Sequence, residues 1–225
     1  MRIAPEGMAT IVIAGLLFLI SLLAWIWVRS HYLGYLVAAF LLVTLFMLFF
    51  FRDPERSTRW QPGQIISPAD GKVVVVAPVR DSFLIKGPAL QISVFLSPLD
   101  VHINRIPVKG RVIHRQYHPG KFLPAFEEKA SLANEQMHLG IETDGGTILM
   151  KQIAGILARR VVCYPDIGDR VEAGQRMGLM KFGSRVDLLL PPDSEALVKP
   201  GDRVVGGVSL LARLKSKGDR YGLKH

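Results

Sequence analysis

The stretch Leu179-Met180-Lys181-Phe182-Gly183-Ser184-Arg185-Val186-Asp187-Leu188-Leu189-Leu190-Pro191 is the one around which the soluble part of the chain is organised. On both sides of Gly183-Ser184 the residues read as a buried strand, apolar and partly alternating, and Pro191-Pro192 closes the run. Glycine ahead of serine lets the backbone reach strained geometry and gives the hydroxyl an unhindered carbonyl to attack. The plain alternative is a bulge in a strand. The choice between them rests on the rest of the chain.

Toward the N-terminus, residues 8–28 contain no charged residue and residues 33–51 contain none either. At about 1.5 Å of rise per helical residue each spans roughly the 30 Å hydrocarbon layer. Two adjacent membrane helices are expected. A cleaved secretory signal fits worse: the first apolar stretch is too long, a second follows it, and no basic run precedes it. Only Arg29-Ser30-His31-Tyr32 separates the pair, so it forms a tight hairpin with both ends on one side of the membrane. Arg2 before the first helix and Arg52, Arg56 and Arg59 after the second, against Arg29 in the turn, favour a cytoplasmic N-terminus and a cytoplasmic C-terminal domain at the cell membrane. The single cysteine, Cys163, excludes an intrachain disulfide and agrees with a reducing compartment.

The formal charge of +9 divides as +1 over residues 1–51 and +8 over the rest. A basic domain tethered beside a bilayer is drawn to anionic headgroups, with each nearby Lys or Arg worth about 1 kcal/mol. The chain has no long Lys/Arg run and no recognisable reading motif, so nucleic acid is not the expected partner.

Residues 52–225 read as strands joined by Gly/Pro turns, at 65–66, 72–77, 90–96, 108–117, 139–143, 147–154 and 159–164. Residues 126–137 offer helix formers in an exposed piece. Gly168-Asp169-Arg170-Val171-Glu172-Ala173-Gly174 recurs 33 residues later as Gly201-Asp202-Arg203-Val204-Val205-Gly206-Gly207. Each copy is a turn feeding a strand. The expected fold is mainly β, a pseudo-symmetric β-sandwich or barrel with hairpin repeats, preceded by an α-helical transmembrane hairpin. These turns resemble those of lipoyl and biotinyl carrier domains, which gives a non-enzymatic reading: a membrane-anchored adaptor or carrier. A carrier needs a lysine at a hairpin tip, and the nearest, Lys181, lies in what reads as a strand.

Two further motifs accompany Gly183-Ser184. Ser67-Pro68-Ala69-Asp70-Gly71 puts an aspartate in a turn after a strand, and Phe95-Leu96-Ser97-Pro98-Leu99-Asp100-Val101-His102 puts a histidine after another. Each is ordinary alone, as turn chemistry or as a packed ring. With these blocks, and with Phe51-Arg52-Asp53-Pro54-Glu55-Arg56, Tyr117-His118-Pro119-Gly120-Lys121-Phe122, Ile153-Ala154-Gly155, Ala158-Arg159-Arg160 and Phe182-Gly183-Ser184-Arg185 in this order, nearly the whole chain resembles the short bacterial and archaeal phosphatidylserine decarboxylases. It departs from the long forms in having Phe182-Gly183-Ser184-Arg185 where they have Leu-Gly-Ser-Thr. It also has Arg105 where they carry a second histidine.

The resemblance implies a carboxy-lyase, a zymogen of phospholipid biosynthesis, that cuts itself between Gly183 and Ser184 into chains of residues 1–183 and 184–225 that stay associated. Ser184 attacks the Gly183 carbonyl, His102 takes its proton and Asp70 orients His102, with Asp100 the runner-up for that acid. Elimination and hydrolysis then leave a covalent pyruvoyl group at position 184, which forms a Schiff base with the serine amine of phosphatidylserine and accepts the electrons left by carbon dioxide. His102 is the expected proton donor, with His118 as the alternative. No metal is expected, because the six histidines are scattered and no Cys/His cluster appears. Lys121-Phe122-Leu123-Pro124-Ala125-Phe126 reads either as an interfacial loop or as an apolar loop packed on the domain. Exposed edge strands leave room for a homo-oligomer.

Overall fold

The computed structural model describes residues 2–81, 83–121, 133–155, 161–181 and 184–215. The chain divides into two compact units, Met1–Glu55 and Arg56–His225.

In the first unit the uncharged runs form α1 (Met8–Val28) and α2 (His31–Phe50), both long and apolar enough to cross a membrane. Leu16, Ile20, Leu23, Leu42 and Leu45 point outward from the pair, as expected of helices that are apolar all round. The reversal takes two residues rather than four. Arg29 adopts the left-handed conformation (φ 49°) and its N–H closes α1 on the Trp25 carbonyl, while Ser30 is extended and His31 already opens α2. Strands β1 (Arg2–Ile3) and β2 (Arg52–Asp53) pair antiparallel, and the Ala4 N–H donates to the Phe51 carbonyl, so the two ends of the hairpin are tied together.

The second unit holds β3 (Gln64–Ile66), β4 (Gly71–Asp81), β5 (Gly87–Leu96), β6 (Ile103–Arg105), β7 (Gly110–His118), β8 (Gln136–Thr143), β9 (Gly146–Ile153), β10 (Val161–Cys163), β11 (Arg170–Val171), β12 (Arg176–Met180), β13 (Ser184–Leu190), β14 (Glu195–Ala196), β15 (Arg203–Val204) and β16 (Leu210–Arg213). An eight-stranded antiparallel sheet runs β11-β7-β8-β9-β13-β5-β4-β15, and two three-stranded sheets run β10-β12-β6 and β14-β16-β3. The strand order is the same read from either end, about a line between β9 and β13. The internal repeat lies at the two edges of this arrangement. Gly168 N–H donates to the Val112 carbonyl and Gly201 N–H to that of Val73; Gly174 N–H donates to Ile106 and Gly207 N–H to Ser67. All four glycines have positive φ, from 75° to 104°, a region that side-chain-bearing residues disfavour. The geometry also reveals a second repeat: Pro68-Ala69-Asp70-Gly71-Lys72-Val73 and Pro107-Val108-Lys109-Gly110-Arg111-Val112 each lead into the strand beside an edge.

One face of the large sheet buries Val73, Ile92, Val94, Leu96, Leu139, Ile141, Met150, Val186 and Leu188 in a single core with Ile65, Met177, Met180 and Leu211 from the small sheets. Each such side chain contributes roughly 1.5–3 kcal/mol.

Two expectations change. The run around Gly183-Ser184 is not one strand: β12 ends at Met180 in a three-stranded sheet, and β13 begins at Ser184 in the middle of the large one. Apolar alternation is alike in both strands, and only their partners differ, Val161 for Met180 and Leu96 for Ser184. In the 126–137 stretch, Gln136 and Met137 belong to β8; residues 126–132, like Phe182, Gly183, Arg159, Arg160 and the loop after Lys121, lie outside the described residues.

Candidate active site

Ser184 opens β13, directly across from Leu96 at the end of β5, and is fully buried. Six residues past Leu96 the chain reaches His102, also fully buried. Between them Ser97–Asp100 forms a turn: the Asp100 carboxylate accepts from the Ser97 N–H (2.8 Å) and hydroxyl (2.7 Å), and the Asp100 N–H returns to the Ser97 carbonyl (2.9 Å). The turn aims the Asp100 carbonyl oxygen at His102 Nδ1, 2.9 Å away. A carbonyl can only accept, so Nδ1 carries the proton and Nε2 the lone pair. The His102 carbonyl in turn accepts from the N–H of Met180, four residues ahead of Ser184. His102 is thus hydrogen-bonded to one flank of residues 181–183, while the other flank is paired to the strand that leads to His102.

The Asp70 turn comes to the same end of the sheet, because Gly71 opens β4 and Lys72 pairs with Phe95. Its carboxylate is engaged elsewhere than on His102: Oδ2 pairs with Arg56 (2.8 Å) and Oδ1 accepts the Gly206 N–H (2.7 Å). Asp100 does meet His102, through its main-chain oxygen rather than its carboxylate. The Arg203 guanidinium lies 3.5 Å from that carboxylate and is exposed. It contributes little.

His118 lies on the other face of the sheet. The pairings Arg185–Ile153, Ile153–Gln136 and Gln136–His118 put it on the face of Arg185, not of Ser184. Three strand spacings, about 14 Å, separate their strands. There His118 packs on His138 (ring centroids 4.1 Å apart), and Phe83 meets His114, His138 and His118 at 4.9, 5.8 and 5.9 Å. Burial, then Lys151 and the other two histidines, pushes the His138 pKa down to about 3. Among the described residues no group of three or more His, Cys, Asp or Glu could hold a metal ion. Cys163 is buried, which pushes its thiol pKa up and leaves it a poor nucleophile.

Two polar pairs escaped the sequence reading. Arg185, directly after Ser184, is buried and donates to Asp187 (2.6 Å) and to Ser93 (2.9 Å). Gln152 on β9 donates to Asn104 on β6 (2.7 Å), joining the two sheets behind His102 and Ser184. Opposite charges two apart in an apolar strand were a visible signal for the first pair; a single Gln in the run 147–154 was the only one for the second.

This assembly can be set beside known proteins. Residues 43–212 match the family model described as phosphatidylserine decarboxylase. The chain belongs to the phosphatidylserine decarboxylase family. It is 51% identical over 173 residues, 76% of this chain and 80% of the relative, to a protein of Symbiobacterium thermophilum named phosphatidylserine decarboxylase proenzyme. Proteins of the same name from Geotalea uraniireducens and Carboxydothermus hydrogenoformans are 46% and 44% identical, over 94% and 93% of this chain and 96% and 95% of theirs.

Proposed function

We propose that the protein cuts itself between Gly183 and Ser184 and then decarboxylates phosphatidylserine to phosphatidylethanolamine. The observation that carries this reading is the buried pairing of ends: Ser184 at the start of one strand, and His102 with its Nδ1 proton committed to the Asp100 carbonyl.

Serine is a weak nucleophile until a base takes its proton. His102 Nε2 has the lone pair for that duty. Attack of Ser184 Oγ on the Gly183 carbonyl turns the peptide bond into an ester. Loss of the Ser184 α-proton expels the Gly183 carboxylate and leaves dehydroalanine, and water converts this to a pyruvoyl group and ammonia. The residues present fit such a group: Ser184 supplies its atoms, and burial at the strand start keeps bulk water from it. When formed, a pyruvoyl group supplies a carbonyl that binds the substrate amine and accepts electrons. His102 Nε2 then holds the proton delivered to the carbon that loses carbon dioxide. Asp70, fixed by Arg56 and Gly206, holds the turn at the head of β4.

After the cut, β13 still lies between β5 and β9, and β15 and β16 still pair with β4 and β3. This pairing supports two chains that remain associated. The apolar hairpin supports anchoring in the membrane that holds the lipid, and its flanking arginines support a cytoplasmic catalytic domain.

The test is release of carbon dioxide from carboxyl-labelled phosphatidylserine in vesicles, one per phosphatidylethanolamine formed. Cut protein that releases none sinks the reading.

A further inference from the structure

Beside the reacting pair, two buried atoms have no hydrogen-bond partner among the described residues: Asn104 Nδ2 and Gln152 Oε1. Both residues are fully buried. Their orientation is fixed. Gln152 Nε2 lies 3.4 Å from the Val162 carbonyl, which can only accept, so that end of the amide is the nitrogen. The same nitrogen donates to Asn104 Oδ1 at 2.7 Å, which fixes the Asn104 amide as well. An amide donor with both hydrogens and an amide acceptor are left over. Buried polar groups are nearly always satisfied, so this pair calls for a partner beyond the described residues.

Register locates it. His102 and Asn104 are two residues apart on one side of the β6 ladder, which continues through the Met180 N–H to the His102 carbonyl. Gln152 pairs with Val186, two residues after Ser184 and on the same face of β13. The two amides therefore sit one step inward from His102 on one sheet and from Ser184 on the other.

A donor next to an acceptor complements an α-amino acid, whose carboxylate accepts and whose amine donates from the same carbon. Resting on the function proposed above, we propose that Asn104 and Gln152 form the headgroup subsite: Asn104 Nδ2 donates to the serine carboxylate and Gln152 Oε1 accepts from the amine. Neutral amides suit the reaction better than a cation would. An ion pair would stabilise the carboxylate before it leaves, and that stabilisation disappears as carbon dioxide departs, which raises the barrier. An amide hydrogen bond orients the carboxylate without placing a full opposite charge against it. It also separates substrate from product, because ethanolamine keeps the amine and has lost the carboxylate.

The test uses the cut, full-length protein in detergent micelles with cyanoborohydride, which couples an amine lipid permanently to a carbonyl at position 184. Intact mass of the small chain then counts occupancy against lipid concentration, without turnover. Wild-type protein should couple phosphatidylserine at about 10- to 100-fold lower concentration than phosphatidylethanolamine, the range of a hydrogen bond to a charged group. Asn104→Leu should bring the two lipids together. Asn104→Asp, of the same shape but anionic, should reverse the order, and it decides the matter if the leucine variant does not fold. Serine preference retained in either variant overturns the proposal, as does failure of a folded Asn104→Leu protein to cut itself, which would assign the amide to chain cleavage instead. A wild-type small chain that couples neither lipid removes the carbonyl at position 184, and with it the function proposed above rather than the subsite alone.

Discussion

His102 Nδ1 lies 2.9 Å from the main-chain oxygen of Asp100, two residues before it. The tautomer of the proposed base is therefore set by the backbone, and the Asp100 carboxylate acts one step removed by holding the Ser97–Asp100 turn. Asp100→Asn, which still accepts from Ser97, should cut itself within about threefold of the wild-type rate. Asp100→Ala loses two hydrogen bonds worth about 1 kcal/mol each and should slow cutting roughly tenfold or more. A time course on denaturing gels measures both.

Asp70 offers a sharper contrast. Its carboxylate bonds Arg56 and the Gly206 N–H, so Asp70→Ala strands a buried donor and should cost about 1–3 kcal/mol of stability. Self-cutting should fall together with melting temperature. Asp70→Asn that melts normally yet is as uncut as His102→Ala would show instead that the carboxylate acts on His102 directly.

Next to the cut, Arg185 and Asp187 form an ion pair with side chains only 3% exposed. Arg185→Leu leaves Asp187 charged and buried, which costs about 3–5 kcal/mol. In a domain of this size the melting temperature should drop on the order of 10 °C. The double variant Arg185→Leu, Asp187→Leu should recover much of that loss. Calorimetry in the Ser184→Ala background separates this effect from cutting.

The histidine cluster predicts acid sensitivity. His138 stays neutral in the fold, with its pKa lowered to about 3 by burial first and then by Lys151, His118 and His114, against a smaller opposing pull from Asp81. His114 is lowered in the same direction, by burial and by His118. The unfolded chain binds these protons near pH 6.5 and the folded one does not. Stability is therefore undiminished above that pH and declines as the pH falls from about 6.5 toward 3, by roughly 1 kcal/mol per unit from His138 alone. His138→Gln should flatten the slope of urea-unfolding free energy between pH 6.5 and 4.5.

How far the sequence carries can be read from particular residues. The hairpin was legible because residues 8–28 and 33–51 are uncharged, and the edge turns because only glycine suits the backbone at Gly168, Gly174, Gly201 and Gly207. The second repeat kept only its proline, glycine and valine, too little to see before the hydrogen bonds were known. The apolar run through Gly183-Ser184 concealed a change of sheet, because strand periodicity says which face is buried and not which neighbour is paired. Ser184 and His102 are candidates because of the sequence blocks that hold them and the family those blocks resemble. The partners of Asp70, and the face on which His118 lies, depend on long-range register that no local pattern encodes.

The most direct measurement is the intact mass of the purified protein under denaturing conditions, beside Ser184→Ala. Two chains are expected, the smaller one starting at position 184 with a blocked, hydrazine-reactive end, and a single chain of about 24.9 kDa for the variant. A wild-type protein that remains one chain with an ordinary serine at 184, or a Ser184→Ala protein that still splits there, would contradict it.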